Sequence, residues 1–431
     1  MARGGTKASG ERSSKDAARG GNEILAFEDD PGAPGAEATP VPRPAPKLDA
    51  SPLPVAIVGR GRPPSPKRYE PGTGGFRHWV AAEALRRCAD FWGSLLPGGV
   101  SWFPTNGKQL RVALDQGQDL NAFYDRRGLQ FFHDTVAGVT VFSGESPDVI
   151  CHEMGHAVFD ALSPATWDAA SIEVAAFHES FGDMSAILCA LQLKSVRDDV
   201  LVATGGRLQR SSRISRVAEQ LGWAIRQVAP GAADPDCLRN AANSFFYREP
   251  ATLPPSAPAS ELSSAPHSFS RVFTAAFLRA LAGVFNAQPS REEPALLRAS
   301  HDLAQLLVEA TSRSPIVPSY YSQVAGHMLL AEEATFGGRY RDALKSAFVR
   351  HGILSLESAA AAPREAPAKG IAAAVTDKRS TELPRLAITG ARYGLPGDLL
   401  VHVAAEPKRL SLASAAPDLG SAEAASHERA A

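Results

Sequence analysis

The residues most restrictive of chemistry lie between Ser146 and Leu162, SPDVICHEMGHAVFDAL, where His152, Glu153 and His156 stand in the order His-Glu-x-x-His. Two histidines four apart on a helix project from one face, about 6 Å apart along the axis. Both imidazoles can then reach one tetrahedral ion, while the glutamate beside the first faces its open position. This is the pattern of a zinc hydrolase. A hydrolytic zinc site takes three protein ligands and leaves room for water, whereas a structural site is closed by four.

A third ligand is expected on the next helix, Ser171 to Leu191, SIEVAAFHESFGDMSAILCAL. Its apolar residues, Ile172, Phe177, Phe181, Met184, Leu188 and Leu191, run beside Glu179 and Asp183, which are four apart. A carboxylate so close to an apolar face needs a partner, because burying an unpaired charge is very costly. Glu179 is expected as the third ligand, and Asp183 as the acceptor that fixes the ring of a metal-bound histidine. Glu173 and His178 compete as ligands; Glu173 lacks an acid four residues on, and His178 points about 100° away from Glu179.

The elements that must position these residues can be read from periodicity. Phe76 to Leu96 predicts a helix ended by Pro97-Gly98, and LRVAL, LQFFH and VTVF between Gln109 and Phe142 predict short strands. Ser146-Pro147 opens the metal helix with a preferred cap and a first-turn proline. Apolar stripes over Arg271–Phe285, Leu296–Thr311, Tyr320–Glu333 and Tyr340–His351 predict core helices. The fold class expected is α+β: a strand-containing half (73–165), a mainly helical half (166–358), and a cleft at their boundary.

With these residues in place the chain resembles the thermolysin-like zinc metalloproteases, whose third ligand is a glutamate in Glu-x-x-x-Asp on the helix after His-Glu-x-x-His. Glu179 and Asp183 match that pattern, and Asp148, four residues before His152, also fits. LNAFYDRRGLQFF at Leu120 to Phe132 is similar to the family's Asn-Ala-Phe edge strand. CLRNAANSFFYREP and SAPHSFSRVFTAAF resemble its Leu-Arg and later His segments. The resemblance runs from about Gly75 to Leu356. It implies a thermolysin-like fold, zinc on His152, His156 and Glu179, and Glu153 as general base. It further implies that Asn121 and Ala122 contact the substrate backbone, that Arg239 binds the carbonyl beyond the scissile bond, and that His267 stabilises the oxyanion.

The chain departs from the family at several points. His178 replaces the asparagine before the third ligand, Trp167 falls where the oxyanion tyrosine is sought, and Ala190 stands at a calcium-ligand position. Calcium is therefore not expected. The activity expected is endopeptidase cleavage of a peptide or protein substrate. Two alternatives stay open: an exopeptidase of aminopeptidase type, and a zinc-bound pseudo-peptidase that holds peptides without cutting.

The 431-residue chain has a net charge of −1, which argues against nucleic acid as a partner. Residues 1–72, rich in Gly, Pro, Ala and charge, are expected to be a disordered tail. Residues 359–431 begin with an Ala/Pro linker and carry LPRLAITGARYGLPGDLLVHVAAEP, where Leu399, Val401 and Val403 alternate and one or two short strands are expected. Neither a secretory apolar segment nor about 18 consecutive apolar residues occurs, so no membrane span and a cytoplasmic location, or export by a non-classical route, are expected. Cys88, Cys151, Cys189 and Cys237 are scattered, which favours buried thiols over a disulfide framework.

Overall fold

The structure is a computed structural model that describes residues 22–59 and 61–361, with the short segments 385–388, 399–402 and 410–411. It mixes helix and small sheets, an α+β arrangement. The first elements are β1 (Glu23–Ala26), β2 (Val41–Pro44), β3 (Val55–Val58) and α1 (Gly74–Leu95). Next come β4 (Leu110–Ala113), β5 (Ala122–Tyr124), β6 (Leu129–Phe131), β7 (His133–Val136) and β8 (Val139–Phe142). The metal-motif helix α2 (Pro147–Leu162) leads to α3 (Ile172–Ala190), α4 (Lys194–Thr204), β9 (Arg216–Val217), α5 (Glu219–Val228) and β10 (Arg239–Asn240). Helices α6 (Pro266–Asn286), α7 (Glu293–Arg313), α8 (Tyr320–Phe336), α9 (Arg341–Arg350) and α10 (Leu356–Ala361) complete the helical part. β11 (Arg385–Ile388), β12 (Leu399–His402) and β13 (Leu410–Ser411) follow.

The principal sheet runs in the order β13-β5-β6-β4-β3, with β3, β4 and β6 parallel and β5 antiparallel to both its neighbours. In β4 the alternate residues Leu110 and Val112 are buried, as one covered face requires. β7 and β8 form a hairpin whose two-residue turn, Ala137-Gly138, has positive φ at both positions (51° and 81°), the geometry that suits strand twist. β11 pairs antiparallel with β12, matching the expected short strands; Val403 lies outside the described residues.

The largest departure from expectation is at the N terminus. From residue 22 the segment expected to be disordered is folded: β1 pairs with β2, and Ile24, Ala26 and Phe27 pack on Phe76, Trp79 and Val80 of α1. β3 also extends the principal sheet, so the strand-containing half begins before residue 73. Composition obscured a short apolar run, Ile24 to Phe27, that is followed by three acids with distant partners, Asp29 and Asp30 among them. Asp29 pairs with Arg213 (2.5 Å), while Asp30 accepts from Ser146 Oγ (2.6 Å) and the Gln220 amide (2.8 Å). Residues 1–21 lie outside the described residues.

The helical half forms one continuous core with the sheet. α6 is long and apolar enough to cross a membrane by length and composition, but 83% of its most apolar window is buried inside the protein against neighbouring helices. At the centre, α2 and α3 lie very close. Ser146 caps α2 by accepting from the Val149 amide, with Pro147 in the first turn, and Ser171 caps α3 by accepting from Val174. A methyl group at Gly155 would sit 2.7 Å from Ser185 Cβ and 3.0 Å from Gly182 Cα. The helices therefore touch backbone to backbone at this crossing.

Gly155→Ala is expected to lower the thermal midpoint, since overpacking typically costs about 1–3 kcal/mol. Gly326→Ala on α8, where an added methyl meets nothing within 4 Å, should raise it or leave it unchanged. Equal melting of the two variants would contradict the close crossing.

Candidate metal centre

α2 and α3 carry His152, His156 and Glu179 to a common point. Ring centroids of the two histidines are 4.6 Å apart with planes at 87°, so the imidazoles converge edge to face. His152 Nε2 lies 3.5 Å from Glu179 Oε2, and His156 Nε2 lies 3.6 Å from Glu179 Oε1. Tetrahedral ligation at about 2.0–2.1 Å places ligand atoms about 3.4 Å apart, which this spacing approaches. All three residues are buried, and both Nε2 atoms and Glu179 Oε2 make no hydrogen bond among the described residues. Buried polar atoms left this way lose several kcal/mol unless a cation or a donor meets them, on the order of 1–3 kcal/mol each. Two imidazole nitrogens and one carboxylate therefore fit a divalent ion such as zinc.

Asp183 organises what surrounds that point. Its Oδ1 is 3.0 Å from His152 Nδ1, and both its oxygens accept from Arg239, at 3.0 Å from Nε and 2.7 Å from Nη2. A bidentate arginine–carboxylate pair is among the stronger and more directional contacts available. Burial alone would raise the pKa of Asp183, but Arg239 and His152 outweigh it and hold the carboxyl well below the usual range. Burial alone would depress His152, yet Asp183 and Glu179 carry it up to about 9. Burial and the neighbouring His152 drive His156 well below the ordinary imidazole value. The acceptor at Nδ1 thus fixes the ring so that Nε2, once it gives up its proton to a bound cation, would aim its lone pair at the common point. His156 Nδ1 has no such acceptor among the described residues.

Glu153 is wholly buried within electrostatic reach of Arg239. His267, in the first turn of α6, places Nε2 3.2 Å from Glu179 Oε2. Arg239 reaches the cluster because β10 pairs with β9, and its Nη2 is 3.9 Å from Glu179 Oε2. Asn121 stands just before β5, its Oδ1 accepting from the Ala122 amide (2.9 Å) and its carbonyl accepting from Ser143 Oγ (2.8 Å). Ala122 is buried opposite Phe131. β5 packs against α2, and Tyr124 donates to Asp160 of that helix (2.9 Å).

The two competing ligands are engaged elsewhere. Glu173 accepts from the Tyr247 hydroxyl and the Tyr321 amide, both at 2.7 Å, and so ties α3 to α8. His178 meets Thr166 Oγ1 at 3.1 Å and packs on Phe159 and Trp167. Asp148 accepts from the Ala218 amide (3.3 Å), and burial beside Asp30 and Asp29 raises its pKa well above the ordinary value. All four cysteines are buried free thiols. Cys88, Cys151 and Cys189 bring their sulfurs within 4.8 Å of one another; burial raises the Cys88 and Cys189 pKa values, and contact with Cys189 raises that of Cys151, which favours neutral core thiols.

Gly182 belongs to the site although its chemistry is silent. A methyl there would fall 2.6 Å from both His152 Nδ1 and Cε1, so the ring occupies the space a side chain would fill. Its signal in the sequence is a glycine inside the Glu179–Asp183 interval of a helix, a marker of close approach. Compared with known proteins, the chain matches no family model, and no curated protein matches it.

Asp183→Asn is expected to lower zinc affinity about 10–100-fold, the usual effect of removing the group that orients a histidine ligand. Gly182→Ala should act in the same direction by displacing the ring. Competition with a chromogenic chelator measures both, and unchanged affinity in the two variants would remove Asp183 and Gly182 from the site.

Proposed function

We propose that the chain is a thermolysin-like zinc metalloendopeptidase. The observation that carries this reading is the convergence of the His152 and His156 Nε2 atoms on Glu179, with Glu153 buried on the same helix as the two histidines. His152, His156 and Glu179 would hold the ion. Zinc bound there supplies a Lewis acid and a water whose pKa falls from about 15.7 towards about 7.

The chain's own residues account for the remaining chemistry. Glu153 is the only carboxylate on α2 next to a ligand, and an ionised carboxylate there accepts a proton from the attacking water. As the carbon–nitrogen bond breaks, Glu153 returns that proton to the leaving amine. His267 lies beside Glu179 at the end of α6, where an imidazole N–H can donate to the oxygen that gains charge, a contribution of about 3–4 kcal/mol for a well-placed donor. Asp183 engages two groups of the Arg239 guanidinium, so this arginine serves first to balance the buried carboxylates, and its closeness to Glu179 keeps it beside the point where a substrate carbonyl would lie. Asn121 and Ala122 lead into the β5 backbone, which is suited to pairing with an extended peptide. Trp167 packs edge-on to Tyr124 and His178 and brings no proton donor of the tyrosine kind, which leaves His267 with the oxyanion role.

Glu153→Gln is expected to abolish turnover of a quenched fluorescent peptide library, a loss of at least about 100-fold for removal of a general base, while zinc content stays at one per chain. His156→Ala should lose metal and activity together. A Glu153→Gln protein that cleaves at the parental rate would sink the mechanism. Zinc binding without turnover by the parent would favour a pseudo-peptidase instead.

A further inference from the structure

The principal sheet ends on an unexpected strand. β5 would be its edge, but β13 pairs with it antiparallel, Leu410 opposite Tyr124 and Ser411 opposite Phe123. β13 also approaches α2, the helix that carries His152, Glu153 and His156. The Leu410–Ser411 segment therefore lies on the strand edge that follows Asn121, and beside the metal-motif helix. Paired antiparallel opposite Tyr124 and Phe123, these two residues take the part of the β5 edge that an extended peptide would need.

We propose that the Leu410–Ser411 segment is an intramolecular occupant of the peptide-binding edge of β5, competing with substrate for the cleft. This rests on the metalloendopeptidase reading only for its consequence in catalysis; occupancy of the edge stands apart from it. An open strand edge presents unpaired amides and carbonyls to any extended chain, and backbone pairing at such an edge is a general mode of peptide capture. A segment of the same chain has a large advantage over a peptide in solution, because tethering sets its effective concentration in the millimolar range. A two-residue pairing is weak by itself, so the occupant is displaceable rather than permanent. The interaction uses backbone groups, so it depends on the ability of residues 410 and 411 to extend and to donate, and little on side-chain identity.

The test compares three full-length proteins: the parent, a Leu410→Pro/Ser411→Pro variant that cannot sustain the pairing, and a Leu410→Ala/Ser411→Ala variant that can. Hydrogen exchange of the β5 amides and binding of a fluorescein-labelled peptide copied from residues 406–414 are measured on each, with thermal melting to establish that all three are folded. The proline variant is expected to exchange at β5, and to bind the labelled peptide, about tenfold faster and about tenfold more tightly than the parent, as loss of a weak tethered competitor implies. The alanine variant should resemble the parent. With peptide substrates, the proline variant should show a lower KM and an unchanged kcat. Unchanged β5 exchange in the proline variant overturns the proposal, and so does faster exchange without tighter peptide binding, which would make β13 a mere sheet extension. Tighter peptide binding with no turnover by any of the three keeps the occupant and removes the peptidase reading. If the proline variant is unfolded, binding of the labelled peptide to the alanine variant decides: it must require millimolar peptide, because β13 has to be displaced first, and binding at micromolar concentration overturns the competition.

Discussion

Everything at the site depends on how closely α2 approaches α3. Gly155 and Gly182 remove the side chains that would hold the helices apart, and a methyl at either would lie within 2.7 Å of the opposite helix. At that separation a glutamate on α3 spans the gap to two histidines on α2 without stretching, and Asp183, one turn further along α3, meets the far nitrogen of His152. Ordinary side chains at the crossing would force the helices apart, which takes the carboxylate out of reach of both rings. The helix contact and the convergence of these three side chains are thus one constraint seen at two scales.

Bringing that many polar groups into a core creates an electrostatic problem that the rest of the fold answers. Glu153, Glu179 and Asp183 are buried carboxylates beside two imidazoles, and one guanidinium, Arg239, stands among them. Removing one partner of such a buried set leaves an uncompensated charge, typically at a cost of about 3–5 kcal/mol. The short β9–β10 pairing delivers Arg239 from a distant part of the chain, so an element of two residues per strand has a consequence well beyond its size. A similar network fixes the outer side of α2: Asp160 accepts from Tyr124 and from Arg126, whose guanidinium also lies over the rings of Phe103 and Trp167. β5 and α2 are therefore tied together by charge and by packing, and the strand edge keeps its position relative to the metal motif.

What was legible in the sequence was local. His152, His156, Glu179 and Asp183 declare themselves because a helix converts spacings of four into shared faces, and Ser146-Pro147 and Ser171 mark the helix starts by chemistry confined to one turn. The α+β class was legible from the same periodicities, and so were α1 and most of the core helices. The rest depends on pairings that no window along the chain contains. Residues 22–59 look like a polar, proline-rich tail until Asp29 and Asp30 find Arg213, Ser146 and Gln220 nearly 200 positions away or across the N-terminal half. Glu173 looks like a ligand until Tyr247 and Tyr321 occupy both its oxygens. Gly182 has no chemistry of its own, and only the ring that fills its empty side shows why it is glycine.

The two histidines are not equivalent, and the difference follows from their neighbours. His152 has Asp183 behind it at 3.0 Å, so its ring is oriented by a charged partner. His156 has no matching acceptor at Nδ1 among the described residues; its ring is held by packing, with His178 and His152 as ring neighbours. His178, the residue before Glu179, meets Thr166 in the loop between α2 and α3. That loop is thereby stitched to α3. The fold has one histidine set by a charged partner and one set by its ring neighbours: His156 lies between His152 and His178, and His178 in turn packs on Phe159, which stacks on Phe181.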